Sequence, residues 1–168
     1  MRSMIVYRMA IEKDLNCIAK VFKDATLNMY KKGIFQWDKT YPSREILRED
    51  IKKEQMFIGL FEGEIVCAYV LNRECNNGYE NGIWEYSHSS YSVIHRLCVA
   101  PKYQNMGIGS HTLKHIERQL KRLGIECVRL DCFISNPYAR RMYEKNGYSI
   151  VGHTDFSTRR FLLMEKRL

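Results

Sequence analysis

The stretch Gln104-Asn105-Met106-Gly107-Ile108-Gly109 lies between a β-rich run, Tyr91 to Ala100, that Pro101 ends, and a helical pattern running from Gly107 to Leu123. Glycines at a strand-to-helix junction let the backbone approach a ligand closely. The helix start adds unpaired N–H groups and a positive partial charge. A pyrophosphate needs that combination. The stretch lacks the first glycine of the dinucleotide fingerprint and the GK[ST] of a P-loop, so neither of those sites is expected. Taken alone, it is also compatible with a plain glycine-containing loop, and its surroundings decide.

Downstream, Leu113, Ile116, Leu120 and Leu123 share one helix face, and Gly124 follows as the cap. Ile125 to Phe133 reads as a strong strand, so residues 91–133 predict a parallel pair with a right-handed crossover. A helix from Asn136 to Asn146 closes at Gly147, with Asn136, Ala139 or Arg140, and Tyr143 spaced to share a face. Tyr148 to Val151 and Phe161 to Met164 read as the last strands. Upstream, Met4 to Met9 is a short strand, and Leu15, Ile18, Ala19, Phe22 and Met29 predict a helix from Asp14 to Lys31. Ser43 is placed to cap a second helix carrying Ile46, Leu47 and Ile51. Met56 to Phe61 and Ile65 to Asn72 form a hairpin about Glu62-Gly63-Glu64, and residues 74–90 carry turn signals. The expected order is β-α-α-β-β-β-α-β-α-β-β, an α/β chain with four helices.

A length of 168 residues, 45% hydrophobic and 27% charged, suits one domain, 1–168, with a core that needs no staples. The longest apolar run, Ile65 to Leu71, is too short to span a bilayer. Arg2, Arg8, Glu12 and Asp14 break up the N-terminal apolar stretch, so no signal peptide is expected and a cytoplasmic location is. The net charge of +8 favours anionic partners, either nucleic acid or a phosphate-rich cofactor. The six cysteines show no CxxC pair, and Cys17, Cys67, Cys98 and Cys127 sit in apolar-periodic segments where a thiol behaves as a small hydrophobe. Reduced thiols and no metal are expected; His111 and His115 at i, i+4 are too few for a zinc site.

The glycine loop and the segment Asn136-Pro137-Tyr138-Ala139-Arg140-Arg141-Met142-Tyr143-Glu144-Lys145-Asn146-Gly147-Tyr148 together resemble the GNAT superfamily of N-acetyltransferases. The likeness is close over about residues 91–152 and agrees in element order over nearly the whole chain, with Tyr148 where Phe is commoner. A weaker likeness covers Gln36-Trp37-Asp38 and Tyr41-Pro42-Ser43-Arg44.

The resemblance implies a GNAT-like acyl-CoA N-acyltransferase fold, with a mostly antiparallel central sheet containing a parallel, splayed strand pair. It also implies acetyl-CoA as the cofactor. Leu97, Cys98 and Val99 would run beside pantetheine. Gln104, Asn105, Met106, Gly107, Ile108, Gly109 and Ser110 would hold the pyrophosphate. Asn136 would bond the pantetheine arm, and Tyr143 would protonate the departing thiolate. Lys102, Arg140 and Arg141 are candidates for the 3′-phosphate.

Direct attack by a neutral amine needs an oxyanion donor, expected from a backbone N–H of 97–99, and a base. Some family members carry Glu early in this strand, where Ser92-Val93-Ile94 stands here. His95 shares strand parity with Leu97 and Val99 and is the named base candidate, with Glu80, Glu85, His88 and Asp38 open through water.

Segment 74–91 carries Glu74, Glu80 and Glu85 and no Lys or Arg, a local −3 in a +8 chain. With Tyr79, Trp84, Tyr86 and Tyr91 it suits a cationic amine, small or on a peptide, and Tyr30 and Trp37 are expected to extend that wall. A solvated loop covering a sheet edge or a homodimer contact reads equally well. A non-catalytic acyl-CoA-binding module is the alternative function. A nucleic-acid-binding domain is not expected, because the basic residues are dispersed and no RNP-like segment occurs.

Overall fold

The computed structural model describes residues 4–168. It contains seven strands, β1 Val6–Met9, β2 Met56–Phe61, β3 Glu64–Asn72, β4 Tyr91–Val99, β5 Cys127–Phe133, β6 Ser149–Phe156 and β7 Arg159–Arg167. Four α-helices accompany them, α1 Leu15–Lys31, α2 Arg44–Lys52, α3 Ile108–Arg122 and α4 Pro137–Lys145. All described strand pairings are antiparallel except β4 with β5, so the class is the expected mixed α/β. The chain forms two compact units: one runs up to Leu71 and includes Arg96–Gly109, the other comprises Asn72–His95 and Ser110–Leu168.

In the first unit β2 pairs with both β1 and β3. The β2–β3 turn places Glu62 at φ 50 and Gly63 at φ 82, the two left-handed residues that a tight hairpin requires. Helix α1 is amphipathic and buries Leu15, Ile18, Val21, Phe22 and Ala25. Cys17 falls off that face and is exposed, contrary to the expectation for it, while Cys67, Cys98, Cys127 and Cys132 are buried; none of the six is in a disulfide. Ser43 caps α2 by accepting the Ile46 N–H at 3.2 Å, and Leu47 and Ile51 enter the core beside Met56, Ile58 and Val70. Each fully buried Leu, Ile or Phe contributes about 1.5–3 kcal/mol of apolar transfer.

In the second unit the parallel ladder covers Tyr91–Val93 against Cys127–Arg129. Strand β5 then pairs antiparallel with β7 over its whole length, and β7 with β6. Strands β6 and β7 are longer than the expected 148–151 and 161–164. His153, Thr154 and Asp155 in β6 and Glu165, Lys166 and Arg167 in β7 are polar, so side-chain pattern does not show the ladder that backbone pairing continues. Helix α3 buries Leu113, Ile116 and Leu120, as its spacing predicts, but it ends at Arg122, and Leu123, expected on the same face, lies past its last turn and is exposed.

The segment between β3 and β4 is tied down, not loose. Ile83 N–H donates to Val151 O at 2.8 Å, and Gly78 packs against β6 at φ 93, where an added Cβ would stand 1.8 Å from Thr154 Oγ1. Gly78→Ala therefore combines left-handed strain with overpacking and should cost about 2–4 kcal/mol, readable as a lower urea midpoint.

Candidate active site

In the first unit the loop before α3 has Asn105 at φ 61 and Gly107 at φ 78. Left-handed residues on either side of Met106 give the alternation of backbone handedness that turns N–H groups toward one side, the geometry of an anion nest. A Cβ built on Gly107 meets nothing within 4 Å, so the space over that backbone is open. Gln104 fastens the loop: its Nε2 donates to Val99 O at 3.1 Å, and its Oε1 accepts from Asn28 Nδ2 at 3.0 Å. Met106 is exposed. Lys102 and Tyr103 both meet Glu64 Oε2, at 3.0 and 2.6 Å, which holds the Glu64 carboxyl below its ordinary range.

Leu97 and Val99 are half-buried, and Cys98 packs into the core, where burial pushes its thiol well up. Arg96, one residue earlier, has φ 49 inside a strand. Its guanidinium makes two bonds to Asp50, at 3.0 and 2.7 Å, and one to Tyr41 Oη at 3.0 Å. Burial raises the Asp50 carboxyl despite Arg96 beside it. Tyr30 is exposed and meets Phe35 edge-on at 4.9 Å between centroids. Trp37 is not part of an acceptor wall: it is 7% exposed, in the core against Phe22 at 5.3 Å between centroids.

In the second unit Tyr143 lies on α4 and is buried, edge-on to Tyr148 at 5.8 Å. Burial first, then the nearby Cys132 and Asp131, raise its phenol well above the ordinary tyrosine value, so it holds its proton. The hydroxyl that distinguishes Tyr148 from Phe is used within the fold, donating to Glu117 Oε1 at 3.1 Å beside a Lys166–Glu117 ion pair at 2.9 Å. Asn136 caps α4 through Oδ1, which accepts the Ala139 N–H at 3.1 Å. Ser110 Oγ accepts from Asn146 Nδ2 at 3.0 Å.

His95 is buried, with Nε2 2.8 Å from Asn72 Oδ1. The Glu74 N–H donates to that same oxygen at 2.9 Å, which fixes it as an acceptor and places a proton on Nε2. Glu80 accepts the Gly78 N–H at 3.0 Å, and Glu85 is exposed while its backbone N–H donates to Glu165 Oε1 at 2.6 Å. Trp84 donates to Tyr79 O at 2.8 Å and lays its ring over the Arg129 guanidinium at 4.4 Å, with Tyr91 also over it at 4.0 Å. The indole already has an internal cation on one face.

Sequence reasoning missed Asp131. Its Oδ2 accepts Tyr79 Oη–H at 2.8 Å and Asn76 Nδ2–H at 3.2 Å, and its charge is felt by Tyr143. The available signal was a carboxylate inside a strand pattern, 127–133, that is otherwise apolar except for Arg129. Among the described residues no group of three or more His, Cys, Asp or Glu could hold a metal ion, and no helix is long and apolar enough to cross a membrane.

The model of the Acetyltransferase (GNAT) family matches residues 20–148. The chain belongs to that family and is an acyltransferase. A spermine/spermidine N(1)-acetyltransferase of Bacillus subtilis is 28% identical over 131 residues, covering 73% of this chain and 80% of that protein. Among solved structures, a GNAT-family acetyltransferase of Streptococcus agalactiae superposes with a TM-score of 0.85 at 19% identity, covering 98% of this chain and 95% of that one. The PaiA N-acetyltransferase of Thermoplasma acidophilum, in complex with coenzyme A, gives a TM-score of 0.75 at 21% identity, covering 98% and 99%.

Proposed function

We propose that the protein transfers an acetyl group from acetyl-CoA to a cationic primary amine of the polyamine type by direct attack. The observation that carries the reading is the buried, proton-holding Tyr143 on a unit that also fixes the Asp131 carboxylate. The kinship with a spermine/spermidine acetyltransferase supports the acceptor class.

The loop fits the cofactor: an open Gly107, left-handed backbone at Asn105 and Gly107, and the start of α3 suit a pyrophosphate. Acetyl-CoA bound there supplies an activated thioester. The residues of this chain do the rest. A backbone N–H of Leu97–Val99 stabilises the oxyanion, Asn136 bonds the pantetheine arm, and Tyr143 gives its proton to the departing sulfur. Glu80, Glu85 and Asp131 hold ammonium groups of the acceptor. Its attacking nitrogen loses a proton to Asp131 or to His95.

Thiol release from acetyl-CoA, measured with spermidine, spermine, a lysine peptide and glutamate, tests the function. The polyamines should react best. Asp131→Asn and Glu80→Gln should each raise the KM for spermidine with acetyl-CoA affinity unchanged. Glutamate as the best acceptor would overturn the acceptor class. Acetyl-CoA binding without thiol release would favour a non-catalytic acyl-CoA-binding module.

A further inference from the structure

An arginine at φ 49 in a strand interior is an expensive choice. The left-handed conformation costs an L-residue about 1–2 kcal/mol that glycine would not pay. At Arg96 the compensation lies in the side chain. Nε and Nη2 grip both oxygens of Asp50 at 3.0 and 2.7 Å, and Nη1 donates to Tyr41 Oη at 3.0 Å. The pair is well shielded, with side-chain exposures of 14% and 10%. Asp50 belongs to α2, which Leu47 and Ile51 anchor in the core. Tyr41 belongs to the connection from α1 to α2, itself held in a turn by Asp38 Oδ1, which accepts from Thr40 N at 2.7 Å and Tyr41 N at 3.1 Å.

Burial along β4 changes character at Arg96. Ser92, Val93, Ile94 and His95 are all buried in succession, after which Cys98 enters the core between half-buried Leu97 and Val99. Releasing the kink would re-aim the backbone groups that follow it. The clamp therefore decides which way those backbone groups point.

We propose that Arg96, locked by Asp50 and Tyr41, is a positioning residue that aims the Leu97–Val99 backbone at the reacting thioester carbonyl. This rests on the proposed reaction, which places the oxyanion at that backbone. Arg96 acts through the strand and touches neither substrate.

The test is Arg96→Gly, which relieves the left-handed strain while deleting the clamp, alongside Asp50→Asn and Arg96→Lys. Arg96→Gly should lower kcat about 10- to 100-fold, a larger loss than any in acetyl-CoA affinity, with the acceptor KM within about twofold. Arg96→Lys should recover part of the loss. The amide NMR signals of Leu97, Cys98 and Val99 should move in Arg96→Gly. Parent kcat in that variant, or a kcat loss matched by an equal loss of acetyl-CoA affinity, overturns the proposal. If Arg96→Gly does not fold, Asp50→Asn, which keeps the shape and removes the charge, carries the same comparison. If the parent protein acetylates no amine, the reaction reading fails. The amide signals then decide on the clamp alone: displacement upholds the positioning of the strand and unmoved signals overturn it.

Discussion

Gly107→Val should lower acetyl-CoA affinity by about 100-fold or more while leaving the fold in place. Gly107 sits at φ 78, where a β-branched side chain is strained whatever the space around it. Its missing Cβ meets nothing within 4 Å, so valine displaces no core atom and the damage stays local. Two losses then add on the ligand side. The loop relaxes out of the conformation that turns its N–H groups together, and two methyl groups stand where the pyrophosphate is proposed to approach. Isothermal titration with acetyl-CoA reads the affinity, and a thermal scan without ligand reads the fold. A folded variant binding with parent affinity would remove residues 104–109 from the cofactor site. The alternative, a variant that melts far below the parent, is not expected, because Gln104 still ties the loop to Val99 and Asn28.

What could be read from the sequence was local. The Ser43 cap, the hairpin at Glu62-Gly63, the burial of Leu113, Ile116 and Leu120 on α3 and the parallel pair flanking it are each written in a few neighbouring residues, and each appears as expected, with Leu123 the exception at the end of α3. What could not be read depends on partners far along the chain. Tyr79 reaches Asp131 across 52 positions, and Arg96 reaches Asp50 across 46. No periodicity announces either contact. Trp37, expected in an acceptor wall, packs instead on Phe22 of α1, a tertiary contact that its own neighbours in sequence do not announce. In segment 74–90, turn signals predict the bends but not the hydrogen bonds to β6 and β7. The polar reach of β6 and β7 has a different cause. A hairpin half open to solvent needs backbone pairing more than apolar side chains, so its ends are quiet in composition.

Tyr143→Phe deletes one hydroxyl, and turnover should fall about 100-fold with acetyl-CoA affinity nearly intact. The ring would stay packed edge-on to Tyr148, since phenylalanine keeps that contact and the surrounding volume. Burial and the neighbouring Asp131 raise the phenol's pKa, so the group is protonated throughout the neutral range. A phenol in that state is a poor general base and a persistent donor. It therefore serves a leaving thiolate, not the incoming amine. The sign of the pH dependence follows. The parent rate should show no falling limb from Tyr143 ionisation between about pH 7 and 9, because the folded value lies above the ordinary ~10. The limb that Tyr143→Phe retains should be the rising one, set by the group that deprotonates the acceptor. Single-turnover thiol release at saturating acetyl-CoA isolates the step. A weaker acyl acceptor should suffer the same proportional loss, whereas an acyl donor with a better leaving thiol should suffer less, since its sulfur needs less help. Unchanged turnover, or a loss that does not depend on the leaving thiol, would take Tyr143 out of the chemistry and leave it as a buried spacer on α4.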